Sequence, residues 1–344
     1  MKISEITLAG LKKRELRGPR KLRRKQLDFT NKITEGGNIF GASTDRIARE
    51  NISPTLEKYF IELKKVFPNA PINPKDFHPV GSVGKKDTSG DIDLAIDGTK
   101  LFPKGVSSSS VQAWNINPEN FVMRFDQLSK RAKSSSKEQI AMKAALQLIS
   151  EYVNDHAPNI HMDVKKVNPG NAFGMFPQYD PQGNNLGKGI QIDWMIGHLP
   201  WLLFSYGSKE YGKEDNVKGL HRTQLLLSML QVKGFSFNHV TGVSDKVTKQ
   251  IVAKDPKEVI QLINNLYNSN LSIEELNDYY ELIDVAKASK DFDDIMKIYL
   301  RILDKTRADI PFNLQEYWIE HQQEYGLTGK FLPDNSNIVK YRKN

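Results

Sequence analysis

Between His78 and Asp97 the sequence HPVGSVGKKDTSGDIDLAID places a Gly-Ser turn, two lysines and three aspartates within twenty residues. Asp91 and Asp93 are two apart, the spacing that puts side chains on one face of a strand, while Ile92, Leu94 and Ile96 point the other way into a core. Two carboxylates side by side repel, so a positive charge is expected between them, and a divalent metal is the usual one. Further along, GIQIDWMIG alternates Ile190, Ile192, Trp194 and Ile196 with Gln191, Asp193 and Met195. If this strand lies beside that of Asp91 and Asp93, three acidic side chains converge. Oxygen-only ligands suit Mg²⁺ or Mn²⁺, and two such ions clamp the attacking and leaving oxygens of an in-line phosphoryl displacement. The loop upstream supplies the complement: a glycine-rich turn exposes backbone N–H donors, and a hydroxyl or a lysine adds contacts to anionic oxygens.

Plainer readings stand beside this one. A polar strand face at a sheet edge explains the alternation of Asp91 and Asp93 but not the loop before them. Asp97 reads as a turn residue. Asp163, in HMDVKK, is the rival third carboxylate, but Lys165 two residues on is placed to pair with it. His221 and Arg222 are candidates to reach a phosphate from a helix N-terminus, against a surface role. Tyr206 could stack on a base or simply pack. The seven histidines show no zinc-ligand spacing, and neither a Walker loop nor a dinucleotide fingerprint occurs.

The order Gly81-Ser82, eight residues, Asp91-Ile92-Asp93-Leu94, then a distant strand carrying Asp193, resembles the DNA polymerase β nucleotidyltransferase superfamily. GSVGKKDTSGDID is most similar to the family X branch, with a loop about one residue shorter than usual. LLFSYGS resembles the family X segment that ends in Thr-Gly-Ser near the nucleotide sugar, with Ser205 and Tyr206 departing from it, and KGFSF resembles its continuation. The resemblance implies that Asp91 and Asp93 hold both metals and that Asp193 binds the catalytic one. It also implies that Gly81, Ser82, Lys85, Ser89 and Gly90 grip a nucleoside triphosphate, and that Gly207 and Ser208 lie by its sugar or base.

These residues need a scaffold. The apolar positions Leu56, Tyr59, Phe60, Leu63 and Phe67 predict a helix from Pro54 to Phe67, and 117–156 predicts two helices, the second opening at Ser135 with Glu138 at capping-box spacing. NIHMDVKKV and GKGIQIDWMIG read as extended, joined through PQYDPQGNNLGKG as a hairpin connection. From about Asn216 the pattern is helical almost to the end, with Ser272 and Glu275 as another capping box. The expected fold class is α+β: a nucleotidyltransferase palm, meaning a mixed sheet with flanking helices and a helical insert, followed by an all-helical C-terminal domain. The expected divisions are a basic arm and linker over 1–42, a catalytic domain over 43–212 with its insert at about 115–156, and the helical domain over 213–344.

The 344 residues suffice for two cores, and 39% hydrophobic with 26% charged residues is ordinary globular composition. No apolar run approaches the ~20 residues of a membrane span, and no signal-peptide order opens the chain, so a cytoplasmic protein is expected. The absence of cysteine excludes disulfides, cysteine-ligated zinc and thiol catalysis. Residues 1–30 carry ten Lys or Arg, among them Arg20, Lys21, Arg23, Arg24 and Lys25, against Glu5, Glu15 and Asp28: a net +7 of the chain's +8. Such an arm fits a polyanion, with RNA or DNA first in line and a solvated tail as the plain alternative. The leading expectation is transfer of a nucleoside monophosphate from a nucleoside triphosphate to a nucleic-acid 3′ end, with release of pyrophosphate. Because no glycine-rich hairpin between helices precedes the motif, terminal rather than templated transfer is favoured. The alternatives are the same chemistry on a nucleotide, protein or small-molecule acceptor, and a nucleic-acid-binding protein without catalysis.

Overall fold

The computed structural model describes residues 39–328 except 82, 86, 133–134, 208, 210, 212–216, 239–241 and 307. After a short 3-10 turn (Gly41–Ser43), a two-residue strand β1 (Ile47–Ala48) runs directly into helix α1 (Arg49–Val66). The helix therefore starts five residues before the predicted Pro54, which sits inside it. Its first turn is held from outside, because the Arg49 N–H donates to the Asp87 carbonyl at 2.9 Å and so satisfies a donor that a helix start leaves open.

Strands β2 (Phe77–Val80), β3 (Thr88–Ser89) and β4 (Asp91–Asp97) follow, then the short helix α2 (Gly98–Leu101). Asp97 is the turn residue the sequence suggests: its Oδ1 accepts from the Thr99 N–H at 2.9 Å and caps α2. The insert holds α3 (Pro118–Arg131) and α4 (Lys137–His156). The capping box of α4 lies one residue later than expected, between Ser136 and Gln139. Next come β5 (His161–Met162), β6 (Asn171–Tyr179), β7 (Asn185–Gly197) and α5 (Leu199–Ser205). Sequence reading passed over β6, the nine residues NAFGMFPQY, whose Gly174 and Pro177 weaken its strand character; it is nevertheless the hairpin partner of β7.

The five-stranded sheet has the order β2-β4-β7-β6-β5, with β4 and β7 parallel and every other neighbouring pair antiparallel. Parallel neighbours need a crossover, and the insert with β5 and β6 provides it. One face of the central pair is fully apolar: Ile92, Leu94, Ile96, Ile192, Trp194 and Ile196 are buried against Tyr59 and Leu63 of α1 and Ala144, Ala145 and Ile149 of α4. The Trp194 Nε1–H donates to the Tyr59 hydroxyl at 3.0 Å, so the one polar group of that indole is satisfied inside the core. At ~1.5–3 kcal/mol for each large aliphatic or aromatic side chain buried, this face fixes which side of β4 and β7 turns outward.

The C-terminal part corrects the expectation of an all-helical domain. After α6 (Gly219–Val232) an antiparallel sheet of β8 (Phe235–Asn238), β9 (Gly242–Asp245) and β10 (Ile251–Ala253) intervenes before α7 (Pro256–Tyr267), α8 (Ile273–Leu276), α9 (Tyr279–Lys287), α10 (Phe292–Thr306) and α11 (Gln315–Tyr325). Strands of three or four residues cannot show a period of two against flanking helical signals. Gly234 (φ +84°) and Gly242 (φ +105°) are the local marks: both adopt left-handed backbone, and a Cβ on Gly242 would lie 2.3 Å from the Ala253 carbonyl oxygen. The Ser272–Glu275 capping box forms as predicted, at the start of α8.

Two buried clusters, one spanning Ile47 to Ile196 and one spanning Trp201 to Leu327, lie within a single compact unit. Helix α5 joins them, since Trp201 and Phe204 pack into the second cluster while Leu202 packs with Val80, Ala95 and Met195 on the outward face of the central strands. The last turn of α5 is tied to α6 and α8: the buried Arg222 donates to the Phe204 carbonyl at 2.6 Å and to Asn277 Oδ1, and stacks 4.8 Å over the Phe204 ring. No helix among the described residues is long and apolar enough to cross a membrane.

Candidate metal centre

The parallel register between β4 and β7 pairs Asp93 with Asp193 and Asp91 with Gln191. With the isoleucines, Leu94 and Trp194 committed to the core, period-two geometry turns Asp91, Asp93, Gln191 and Asp193 to the same outward face. The three carboxylates each offer an oxygen within 4.8 Å of the others, an all-oxygen cluster that could hold a metal ion. Asp163 stays outside it. Its carboxylate accepts the backbone N–H groups of Lys165 and Lys166 at 3.0 and 3.1 Å, so it orders a turn instead of pairing with the lysine side chain.

The cluster is costly to ionise. Burial pushes Asp193 from the ordinary 3.8 up to about 7, with the Gln191 hydrogen bond opposing and the charge of Asp91 adding to the rise. Asp93 is also raised well above the ordinary value, by burial and by repulsion from Asp91 and Asp193. Asp91 is raised by burial, with the positive Arg46 pulling the other way. Asp193 Oδ2 accepts from Gln191 Nε2 at 2.7 Å, while its Oδ1 is buried without a hydrogen-bond partner. A buried acceptor without a donor, beside two like charges, is the environment a divalent cation relieves. The donor set could therefore hold a divalent metal ion.

The glycine turn closes over the carboxylates. Gly81 has φ +67°, and a Cβ there would lie 2.7 Å from Asp93 Oδ2, so only glycine brings this backbone so close. Lys85 is half-buried in the same turn, and Gly90 is half-buried between β3 and β4. Ser89 is fully buried in β3, opposite Ile47 of β1. Ser82 and Ser208 lie outside the described residues, as do Arg20, Lys21, Arg23, Arg24 and Lys25 of the basic arm.

Three neighbours complete the site. Arg46, which motif spacing did not single out because it lies 45 residues before Asp91, donates through Nε to Thr88 Oγ1 at 2.9 Å and through Nη2 to the Thr88 carbonyl at 2.8 Å. It thereby anchors the end of the turn and carries its charge to Asp91. Gln191 was visible as the residue two before Asp193 on the same face; it is buried, and its Oε1 accepts from the Ile39 N–H at 3.2 Å. Tyr206 stands close enough to Asp93 and Asp193 that their charges, after burial, help push its hydroxyl up to about 12. Gly207 follows, and a Cβ on it would strike the Leu203 carbonyl at 2.3 Å. Ser205 is buried within α5, where its Oγ donates to the Leu202 carbonyl at 3.4 Å.

His221 and Arg222 do not belong to this face. His221 is fully buried, with Nδ1 accepting from the Lys218 N–H and Nε2 at 2.9 Å from the Asp309 carbonyl oxygen; it caps α6. Arg222 is equally buried in the tie described above, and burial lowers its pKa to about 10.

No family model matches the chain, and no curated protein matches it.

Proposed function

We propose that this chain is a metal-dependent nucleotidyltransferase with a DNA polymerase β-like palm, moving a nucleoside monophosphate from a nucleoside triphosphate to an acceptor hydroxyl, foremost a nucleic-acid 3′ end. The observation that supports this most directly is the meeting of Asp91, Asp93 and Asp193 on two parallel strands, with the Gly81 backbone against Asp93. In the reaction the acceptor hydroxyl releases its proton, ultimately to solvent, as its oxygen bonds to the α-phosphorus; the bond from that phosphorus to the bridging oxygen breaks, and pyrophosphate leaves. Asp91 and Asp93 would hold two Mg²⁺ or Mn²⁺ ions, with Asp193 on one of them. Bound there, the ions supply charge neutralisation at the attacking and leaving oxygens.

The chain's own part is positioning. The β4–β7 register sets the carboxylates at fixed spacing, and the buried face behind them resists the repulsion that would otherwise spread them. Gln191 holds one oxygen of Asp193 and leaves the other for a ligand. Backbone N–H groups of the glycine turn and Lys85 would meet the triphosphate, and Arg46 anchors the end of that turn at Thr88. Tyr206, neutral at physiological pH, closes the side next to Asp93 and Asp193 with a flat, half-apolar surface that suits a sugar or a base.

The test is pyrophosphate release with Mg²⁺ from each ribo- and deoxyribonucleoside triphosphate, with and without a mixed pool of RNA and DNA ends, and with Asp93→Asn as control. Release that needs both the pool and Asp93 supports the proposal. Release without the pool redirects it to a nucleotide or protein acceptor, and release retained by Asp93→Asn overturns the assigned site.

A further inference from the structure

The β9–β10 hairpin carries the most exposed large apolar side chain among the described residues. Val247 is 88% exposed at its tip, and Ile251 and Val252 are 55% and 43% exposed on the edge strand β10. Three exposed lysines, Lys246, Lys249 and Lys254, are interleaved with them. No close ion pair of these lysines occurs among the described residues; Lys249 lies near enough to Asp245 to help hold its carboxyl low, and Lys246 Nζ donates to the Gln231 carbonyl at 3.4 Å. The neighbouring acidic groups face the backbone: Asp245 Oδ1 accepts the N–H groups of Val247 and Thr248 at 2.8 and 2.7 Å, and Glu258 accepts the Lys254 N–H at 2.8 Å.

The tip is held in one shape. Besides the Asp245 bonds, the Lys249 N–H donates to the Asp245 carbonyl at 3.0 Å, the Asp245 N–H to the Gln250 carbonyl at 3.0 Å, and the Lys246 N–H to the Gly234 carbonyl at 2.9 Å. Lys249 takes a left-handed φ of +62° to close the turn. A turn with this many backbone bonds presents its side chains at little ordering cost on binding. The hairpin is also joined to the candidate site's scaffold, because the Trp201 Nε1–H of α5 donates to the Asn238 carbonyl of β8 at 3.0 Å.

We infer that this hairpin docks a double-stranded stretch of the acceptor nucleic acid, with Lys246, Lys249 and Lys254 on phosphates and Val247 and Ile251 against the minor-groove edge. Three exposed lysines along one hairpin, only one of them beside a carboxylate, match a polyanion. The apolar residues are aliphatic. Flat aromatics stack on unpaired bases, whereas aliphatic wedges enter the minor groove of a duplex, so the side chains here favour the duplex. The inference deepens the proposed transferase by naming a grip for the acceptor, and it rests on that reading for the acceptor's identity.

The test measures fluorescence anisotropy of the full chain, without triphosphate or Mg²⁺, against a labelled DNA duplex of about 20 base pairs with a 3′ overhang, its single strand, and phosphatidylserine vesicles. Lys246→Ala/Lys249→Ala/Lys254→Ala should weaken duplex binding by more than about 10-fold and flatten the log affinity against log salt slope by about 2 to 3, while Val247→Ser should weaken it about 3- to 10-fold without changing the slope. Circular dichroism melts verify that both variants stay folded.

Binding by the triple variant within about twofold of the original chain and with the same slope overturns the inference, as does binding to vesicles without binding to duplex. A single strand that binds as tightly as the duplex, and loses as much in the variants, overturns the groove assignment. These readouts need no turnover, so a failed transferase reading, seen as pyrophosphate release that survives Asp93→Asn, remains distinguishable from a failed hairpin.

Discussion

Removing all divalent cations should make this protein less stable as the pH rises, and Asp193 sets the size of the effect. In the unfolded chain its carboxyl titrates at the ordinary 3.8, whereas in the folded chain burial and the Asp91 charge move it to about 7. Between those values the folded form holds a proton that the unfolded form has released. Stability is therefore greatest at the acid end of that window and falls as pH climbs to about 7, where it levels off for this group. The rise corresponds to about 4 kcal/mol at most, at ~1.4 kcal/mol for each tenfold change in proton affinity. Asp93, raised in the same direction, extends the decline.

The assay is urea or thermal unfolding of chelated protein at several pH values between 5.5 and 8.5, beside Asp193→Asn. The difference between the two isolates this carboxylate from all other titrations. The variant should be the more stable of the two at pH 8, by up to about 4 kcal/mol, and the advantage should shrink toward pH 5.5. Mg²⁺ should restore the original chain by about 2.7 kcal/mol when present at 100 times its dissociation constant, and should do less for the variant. If chelated protein gains stability from pH 5.5 to 8 relative to Asp193→Asn, or if the variant is the weaker at pH 8, the carboxylates are not under the strain argued here.

Gly81→Ala should cost about 1–3 kcal/mol of stability and lower Mg²⁺ affinity, since the new methyl meets Asp93 Oδ2 at 2.7 Å from a left-handed backbone; titration calorimetry with Mg²⁺ reads it, and unchanged affinity would place the turn away from the cluster. Gln191→Leu should lower metal affinity about 10- to 100-fold by freeing Asp193 Oδ2 and leaving the fold intact, with Gln191→Glu no substitute because it adds a fourth like charge; metal titration at pH 8 decides. Lys85→Ala should mainly raise the KM for the triphosphate if Lys85 meets it in both ground and transition states, and an unchanged KM would remove it from the binding loop.

Much of the site was legible because its signals are local. Asp91 and Asp93 alternate with residues that have one possible destination, the core, so the facing of β4 follows from the period of two alone, and the same holds for Asp193 on β7. Gly81 was singled out for its turn, and its approach to Asp93 gives that choice a steric reason. The depth of Ser89, His221 and Arg222 was not legible, because residue type says nothing about it: all three are fully buried, which excludes the surface alternative for His221 and Arg222. The strands β8 to β10 are not legible because three or four residues carry too little periodicity.

By itself, the sequence determined that this chain has carboxylate-bearing strands with one apolar face each, a glycine turn before the first, and a core large enough to hold them. Local geometry and hydrophobicity suffice for that. Which strands became neighbours was decided by the tertiary structure: β4 and β7, nearly a hundred residues apart, pair in the parallel register that sets Asp93 opposite Asp193. The same long-range packing brought Arg46 to Asp91 and Tyr206 to Asp93 and Asp193. Such contacts depend on how elements close on one another over long loops, a property of the whole packed chain and of no single segment.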